Sequence, residues 1–500
     1  MAEAATAHRV AKDLGARKRL SGWVKLIYGS GDLGMATYGT LRQFFYAIFL
    51  TDVVGLDPRL ASIAAFVGVM WDAINDPLVG VWSDKLRTRW GRRRPFLLLF
   101  AVPYGLAFLI LWWAPPWKSQ VLLMLHVMVA YALSDTFQTL VIVPFHAMTP
   151  EITSDYDERT SLASYRMVFN FLASLAGGVA APKIVDATLA GGGTQQQVYV
   201  LTSIIFVASA IIPYWLIFFV VREKALPEKA PKIVSFRQTV RTAWENVPFR
   251  YATALYMLNW VTFDIVAAVL PFFIVYWVAA GNFVLKVPGI GMPLDSAVLG
   301  VMVVVAVPML PFWFWMARRV GKRVAYMIAI GFWALILIGL NFLPPMHLGL
   351  AMLMAVLMGF SYSAAHMLPE AIFPDVIDWD ELRTRERHEG VYYGAKNFIR
   401  KLTTAFALFL TLQVLGWLGY QKPPDGAVYF MQSPAVIMGI RILVGPVATV
   451  LLLGLLAITW FYPLDRRRHQ RIRRLLARRQ RREALKQASA STPAGIGTVN

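Results

Sequence analysis

The chain has 500 residues, 57% of them hydrophobic and only 16% charged, with 49 Lys and Arg against 29 Asp and Glu. That balance excludes a water-soluble domain and a disordered chain alike, because neither presents so much apolar surface. The absence of cysteine excludes disulfides, thiolate metal centres and cysteine nucleophiles, and the seven histidines show no paired-ligand spacing.

A polar leader, 1–24, carries Arg9, Lys12, Arg17, Lys18 and Arg19 ahead of the first apolar stretch and is not a signal peptide. Stretches long enough to cross about 30 Å of hydrocarbon follow near 25–51, 60–83, 95–114, 119–148, 162–182, 198–221, 251–279, 296–317, 324–343, 348–373, 391–419 and 434–462. These are numbered as spans one to twelve.

Span two holds Trp71-Asp72-Ala73-Ile74-Asn75-Asp76-Pro77 in an otherwise apolar run. Asp72, Asn75 and Asp76, at i, i+3 and i+4, share a helix face. An aspartate at a helix centre costs roughly 2.5 to 3.5 kcal/mol, so the pair needs a proton, a bound cation or a basic partner. Oxygen-only ligands suit a hard cation such as Na⁺ at Asp72 and Asp76, and two close carboxylates also suit a shared proton. The cluster reads as an ion site.

The connections alternate in charge. Lys85, Arg87, Arg89, Arg92, Arg93 and Arg94 follow span two, a linker at 223–250 follows span six, and Arg318, Arg319, Lys322 and Arg323 follow span eight; the intervening loops are nearly free of basic residues. Both termini are therefore expected in the cytoplasm, in a bacterial-type inner membrane. Arg89-Trp90-Gly91-Arg92-Arg93 is echoed by Arg319-Val320-Gly321-Lys322-Arg323, and Pro150-Glu151-Ile152 by Pro374-Asp375-Val376. The echo divides the chain into two pseudo-symmetric six-helix bundles, 25–222 and 251–462, with substrate expected between them near the midplane. The tail, 463–500, contributes nearly half of the net +20. It reads as an arginine-rich helix and a disordered end, suited to anionic lipid and not to nucleic acid, since no aromatics interleave the arginines.

Further polar residues interrupt the spans: Asp264 near Asn259 in span seven, Glu370 and His366 on one face of span ten, and His146 in span four. Asp264 and Glu370 are candidates for the second half of the substrate site. Trp260, Tyr276, Trp277 and Tyr362 are possible stacking surfaces. Asp84, Arg92 and Arg93 after span two, and Asp375 and Asp378 after span ten, are expected as gate contacts. No nucleophile with a base, and no metal set, points to an enzyme.

The order Tyr28-Gly29-Ser30-Gly31, Thr51-Asp52-Val53-Val54-Gly55-Leu56, the span-two cluster, Ser83-Asp84-Lys85, Glu158-Arg159 and Ser164-Tyr165-Arg166 resembles the glycoside-pentoside-hexuronide:cation symporters, the melibiose permease group of the major facilitator superfamily. Pro374-Asp375-Val376-Ile377-Asp378, Arg387-His388-Glu389-Gly390 and Phe398-Ile399-Arg400-Lys401-Leu402 carry the resemblance through the second half. It implies an all-α integral membrane protein with the twelve-helix major facilitator fold. It also implies a cation site at Asp72, Asn75, Asp76 and Thr139, with Arg166 between cation and sugar sites and Lys401 near both. Lys396 and Arg400 lie beside Lys401 as further substrate or coupling candidates.

The sugar side departs from that pattern. The two aspartates that hold a galactosyl group in the family match Ala36 and Ile142, and the stacking tryptophan matches His146. Asp32 lies one turn before Ala36 and Asp135 two turns before Ile142, on the same helix faces, suiting a differently placed or larger ligand. The expected function is import of a glycoside or related sugar by a monomer, driven by Na⁺ or H⁺ with no other cofactor. The proton is preferred, because the family's acid at the Ile142 position is missing. The alternatives are a lipid-like or amphipathic substrate, or a transporter-like sensor.

Overall fold

The computed structural model describes residues 20–153, 158–159, 161–173, 176, 188, 195–223, 244–289, 291–385, 389–424 and 427–490. They are almost entirely helical, with no β-strand among them. Ten described helices are long and apolar enough to cross a membrane. Span one, divided into Gly22–Ser30 and Asp32–Ile48 and ending in a π turn at Phe49–Val53, takes a further place. The helical run 161–173 falls where span five is expected; the rest of that span, the leader before residue 20, linker residues 224–243 and the tail after 490 lie outside the described residues.

Local chemistry sets where the helices begin. Asp57 caps span two (Pro58–Lys85) by accepting from Arg59 N at 2.8 Å, and Asn246 caps span seven (Val247–Phe272) through Phe249 N at 3.1 Å. Ser119 and Ser433 do the same for spans four (Gln120–Ala147) and twelve (Pro434–Ile442, continuing through Ala448–Phe461). The division of span one falls at Gly31, where a Cβ would lie 2.6 Å from the Phe145 ring, so only glycine lets spans one and four approach this closely. Pro77 follows Asp76 directly and removes the N–H that would bond the Ala73 carbonyl, loosening span two beside its acidic pair.

The sequence echo is a structural duplication. Span two packs on four as span eight (Leu294–Val320) packs on ten (Leu348–Thr384). Span three (Arg94–Leu111) packs on six (Gln195–Val220) as nine (Lys322–Asn341) packs on twelve, and one packs on six as seven packs on twelve. Between the halves, span eleven (Glu389–Trp417) runs along span two, and span seven lies against span one.

The two basic loops share a backbone conformation as well as a motif. Gly91 has φ +112° and Gly321 has φ +92°, both in the region that favours glycine. Each loop holds an acid at the near end of the partner helix of its own half: Arg93 Nε donates to Glu151, in the turn after span four, at 2.6 Å, with Arg92 bonded to the same carboxylate, and Lys322 Nζ donates to Asp375, in the last turns of span ten, at 2.6 Å. Arg93 also reaches Asp84 at 2.7 Å. Asp84, Arg92, Arg93, Asp375 and Asp378, expected as gate contacts, are all engaged at the end of the molecule that carries the basic loops. These pairs lie within one half, because packing of two on four and of eight on ten brings each loop to its own acid. Asp378 accepts from His469 of the tail helix Arg466–Ala490 at 3.1 Å, and Ile472 and Leu476 of that helix are buried, so the start of the tail is docked.

Glu223 closes the first basic loop by accepting from the backbone N–H of Arg92, Arg93 and Arg94 at 2.7, 3.0 and 2.6 Å, an anion placed on the N-terminus of span three. A Cβ at Gly91 would lie 2.7 Å from that carboxylate. Gly91→Ala is therefore expected to destabilise the protein by about 1–3 kcal/mol through the strained φ and the displaced carboxylate, read as a fall in Tm that Gly39→Ala, with open space around its Cβ, does not show.

Candidate functional site

The acidic pair of span two is held from the other half of the molecule. Lys401 Nζ, on span eleven, donates to Asp72 Oδ1 and Asp76 Oδ2 at 2.6 Å each and to the Asp72 carbonyl at 2.9 Å. Thr139 Oγ1 of span four donates to the other oxygen of Asp76 at 3.0 Å. The i, i+4 spacing aims both carboxylates at one point on span eleven. Asn75 is buried beside them, and its Nδ2 has no hydrogen-bond partner among the described residues. Two carboxylates and one ammonium leave the cluster one positive charge short of balance.

Arg166 does not reach this cluster. Its Nε lies 3.2 Å from both oxygens of Asp32, and its guanidinium covers the Phe145 ring at 5.1 Å. Arg166, expected between the cation and sugar sites, is paired with Asp32 of span one, itself a substrate candidate. His146 approaches the same carboxylate, with Nε2 at 3.6 Å, too far for a hydrogen bond. Asp135 is buried in span four, 4.0 Å from Arg42 of span one, and one of its oxygens has no hydrogen-bond partner. Arg42 lies between the rings of Tyr38 and Tyr131, at 4.9 and 5.1 Å.

The second half supplies two further ion pairs. Asp264 of span seven accepts from Arg400 Nη2 at 3.0 Å, from Thr404 Oγ1 at 2.9 Å and, across the interface, from Gln43 Nε2 of span one at 3.1 Å. Arg400 covers Trp260 at 3.8 Å. Trp260, Phe263 and Tyr362 surround His366, which stacks on Tyr362 at 4.4 Å and meets the other two edge-on. Glu370 accepts from Tyr256 at 3.0 Å and pairs with Lys396. The shared face foreseen for His366 and Glu370 is divided between these two surroundings. Asn259 is structural, tied to Tyr326 and the Ala365 carbonyl.

From Lys401 the contact between halves continues toward the end of the molecule away from the basic loops. Phe66 meets Phe409 with ring centres 5.6 Å apart, Gln413 donates to Ser62 at 2.8 Å, and Arg59 packs over Gly416. At that end Asp52 accepts from Tyr276 at 2.8 Å and from Tyr420. Arg42, Gln43, Asp52 and Thr404 were not singled out as functional from the sequence. A signal for Arg42 and Asp52 was present, since charges inside or at the end of an apolar span are costly; for Gln43 and Thr404 none was.

This arrangement of duplicated bundles with charged groups between them has known counterparts. Residues 27–466 match the family described as MFS/sugar transport protein. The chain belongs to that family. Among relatives, the protein named "Uncharacterized symporter sll1374" of Synechocystis sp. is 27% identical, covering 91% of this chain and 96% of its own. Sodium-dependent lysophosphatidylcholine symporter 1-A of Danio rerio is 28% identical over 91% of this chain and 88% of its own. YagG of Escherichia coli (strain K12), named for glycoside/cation symport, is 26% identical over 94% and 98%. The nucleoside transporter NupG shares the fold, with a TM-score of 0.57 at 12% identity over 87% of this chain and 98% of its own, as does an auto-inhibited POT family peptide transporter, at 0.58 and 13% over 89% and 98%. As an MFS family member the protein is a multi-pass membrane transporter of the symporter type, not an enzyme.

Removing one partner of a buried ion cluster leaves uncompensated charge. Lys401→Met is expected to lower stability by roughly 2–4 kcal/mol, less than the 3–5 of a fully buried pair because the Asp76 side chain is 38% exposed. Adding Asp72→Asn and Asp76→Asn to Lys401→Met should restore most of the loss, as measured by Tm in detergent.

Proposed function

We propose that the protein couples entry of a monovalent cation to uptake of an amphipathic substrate with a charged or zwitterionic headgroup, by alternating access across a bacterial-type plasma membrane. The observation that carries the coupling is the bridge from Lys401 to both span-two aspartates. A cation entering among Asp72, Asp76 and Thr139 supplies the missing positive charge and so weakens the hold of the carboxylates on the ammonium. With it goes an ionic tie between the halves. Turning the Asn75 amide exchanges its unpartnered nitrogen for an oxygen, which gives four oxygen donors and favours Na⁺; the proton is the second choice. By linkage, whatever substrate gains from the released Lys401, the cation gains from substrate.

For the substrate, the supporting observation is the chemistry near the middle of each half. Ala36 and Ile142 are buried and offer a galactoside no hydrogen bond. Instead each half presents an ion pair backed by an aromatic ring, Asp32 with Arg166 on Phe145 and Asp264 with Arg400 on Trp260. A headgroup bearing both signs of charge can exchange with such pairs. The lysophosphatidylcholine symporters among the relatives support this reading. A glycoside is the second reading, supported by the relationship to YagG and by the aromatic surround of His366, whose rings suit stacking. The positive-inside rule puts the basic loops in the cytoplasm, so the conformation described, with Asp52 latched to Tyr276 and Tyr420, is closed to the outside.

Asp76→Asn is expected to abolish gradient-driven accumulation in proteoliposomes while preserving substrate exchange; undiminished accumulation under imposed Na⁺ and pH gradients would remove the coupling role. Thermal stabilisation by lysophosphatidylcholine, enhanced by Na⁺ and absent with simple glycosides, is the expected ligand profile, and stabilisation by a glycoside alone would sink the amphipathic reading.

A further inference from the structure

Alternating access requires the two ends of the path to close in turn. The contacts between halves described above run from Gln43 and Lys401 outward to Asp52, while the pairs made by the basic loops stay within one half. The sequence echo supplies a candidate for the cytoplasmic end. Four residues before Pro150 stands His146, and four residues before its counterpart Pro374 stands Glu370, at matching places late in spans four and ten.

Their surroundings match as well. His146 Nε2 lies 3.6 Å from Asp32 of span one, which pairs with Arg166 of span five. Glu370 accepts from Tyr256 of span seven at 3.0 Å and pairs with Lys396 of span eleven at 2.5 Å. Each residue thus sits on the first helix of its half, beside a cation of the fifth. Spans one and seven lie against each other across the halves, and Asp32 and Tyr256 fall in their early turns, so His146 and Glu370 stand on opposite sides of one path. In both groups the matched residue is the more open one: the His146 and Glu370 side chains are 36% and 41% exposed, against 8% for Asp32 and 10% for Lys396. Ionisable side chains in spans face the interior or a wet cavity. Their chemistry is complementary. His146 Nε2 has no hydrogen-bond partner among the described residues, and an imidazole carries at least one N–H to donate. A carboxylate has about four lone-pair sites, of which Tyr256 and Lys396 occupy two, so Glu370 can accept again while keeping both partners.

We propose that His146 and Glu370 form a hydrogen bond across the path when the cytoplasmic end closes, an inner contact that alternates with the latch on Asp52. Halves related by an axis along the membrane normal bring equivalent positions toward each other as they rock, and these two positions carry a donor and an acceptor. The contact rests on the alternating-access reading and is independent of which ion or substrate is carried. Its test reads conformation without transport, so a failure here leaves the coupling role of Asp76 to be decided separately.

Because the protein contains no cysteine, Lys85→Cys and Val320→Cys, exposed at the cytoplasmic ends of spans two and eight, accept spin labels that report the inner separation of the halves in the detergent-solubilised full chain. A long and a short distance population are expected. His146→Ala should cut the short one about tenfold, and Glu370→Gln by less, since a neutral amide accepts more weakly than a carboxylate. Combining them should cost no more than His146→Ala alone, because both act on one contact. A second measurement needs neither variant to be benign: with His146→Cys and Glu370→Cys in place of the labelled positions, a short bifunctional thiol reagent should bridge the two, which intact mass reads as one reagent per chain instead of two. The proposal is overturned if the wild type shows one population only, if His146→Ala leaves the short population unchanged, if Glu370→Gln lowers it further once His146 is gone, or if the two cysteines take separate reagents and no bridge forms.

Discussion

The structure turns on one ammonium shared between two carboxylates of the opposite half. Lys401 satisfies Asp72 and Asp76 together, and the cost of holding two like charges in an apolar span is what makes the arrangement responsive. A permanent neutral pair would tie the halves and leave no place for a travelling ion. Under the function proposed above, a cation meeting the remaining negative charge weakens this cross-link, which is the physical content of coupling in a rocking transporter.

Around that cluster, the charged groups divide by purpose. The loop pairs, Arg92 and Arg93 with Glu151 and Lys322 with Asp375, staple each half to itself. The contacts that join the halves are fewer and varied: an ionic bridge at Lys401, a hydrogen bond from Gln43 to Asp264, an aromatic contact at Phe66 and Phe409, and two tyrosines on Asp52. Strong pairs inside a half and modest contacts between halves are what a rigid-body exchange between two conformations requires. Neither set works without the other.

The polar groups at the centre also pair within each half. Arg166 belongs to Asp32 and Arg400 to Asp264, so each half carries a neutral pair of its own, and the net charge is concentrated at the span-two cluster. A substrate that displaces one partner must supply the missing charge. That constraint, together with the apolar character of Ala36 and Ile142, is the ground on which an ionic headgroup is proposed above.

Much of this was legible in the order of residues. Apolar length and alternating basic loops define the spans, since the bilayer imposes thickness and charge bias on any chain that crosses it. The repeated Arg-x-Gly motif predicts duplication, because a glycine at positive φ and its flanking bases serve one turn in both halves. The i, i+4 aspartates of span two mark the cluster, because helical periodicity places them on one face whatever surrounds them. What only the tertiary structure decided is which cation meets which anion. Arg166 goes to Asp32, the loop arginines go to Glu151 within their own half, and Gln43 crosses to Asp264, because pairing depends on the relative height and rotation of helices far apart in sequence. Those are set by side-chain packing such as Gly31 against Phe145, and no periodicity within one span contains them.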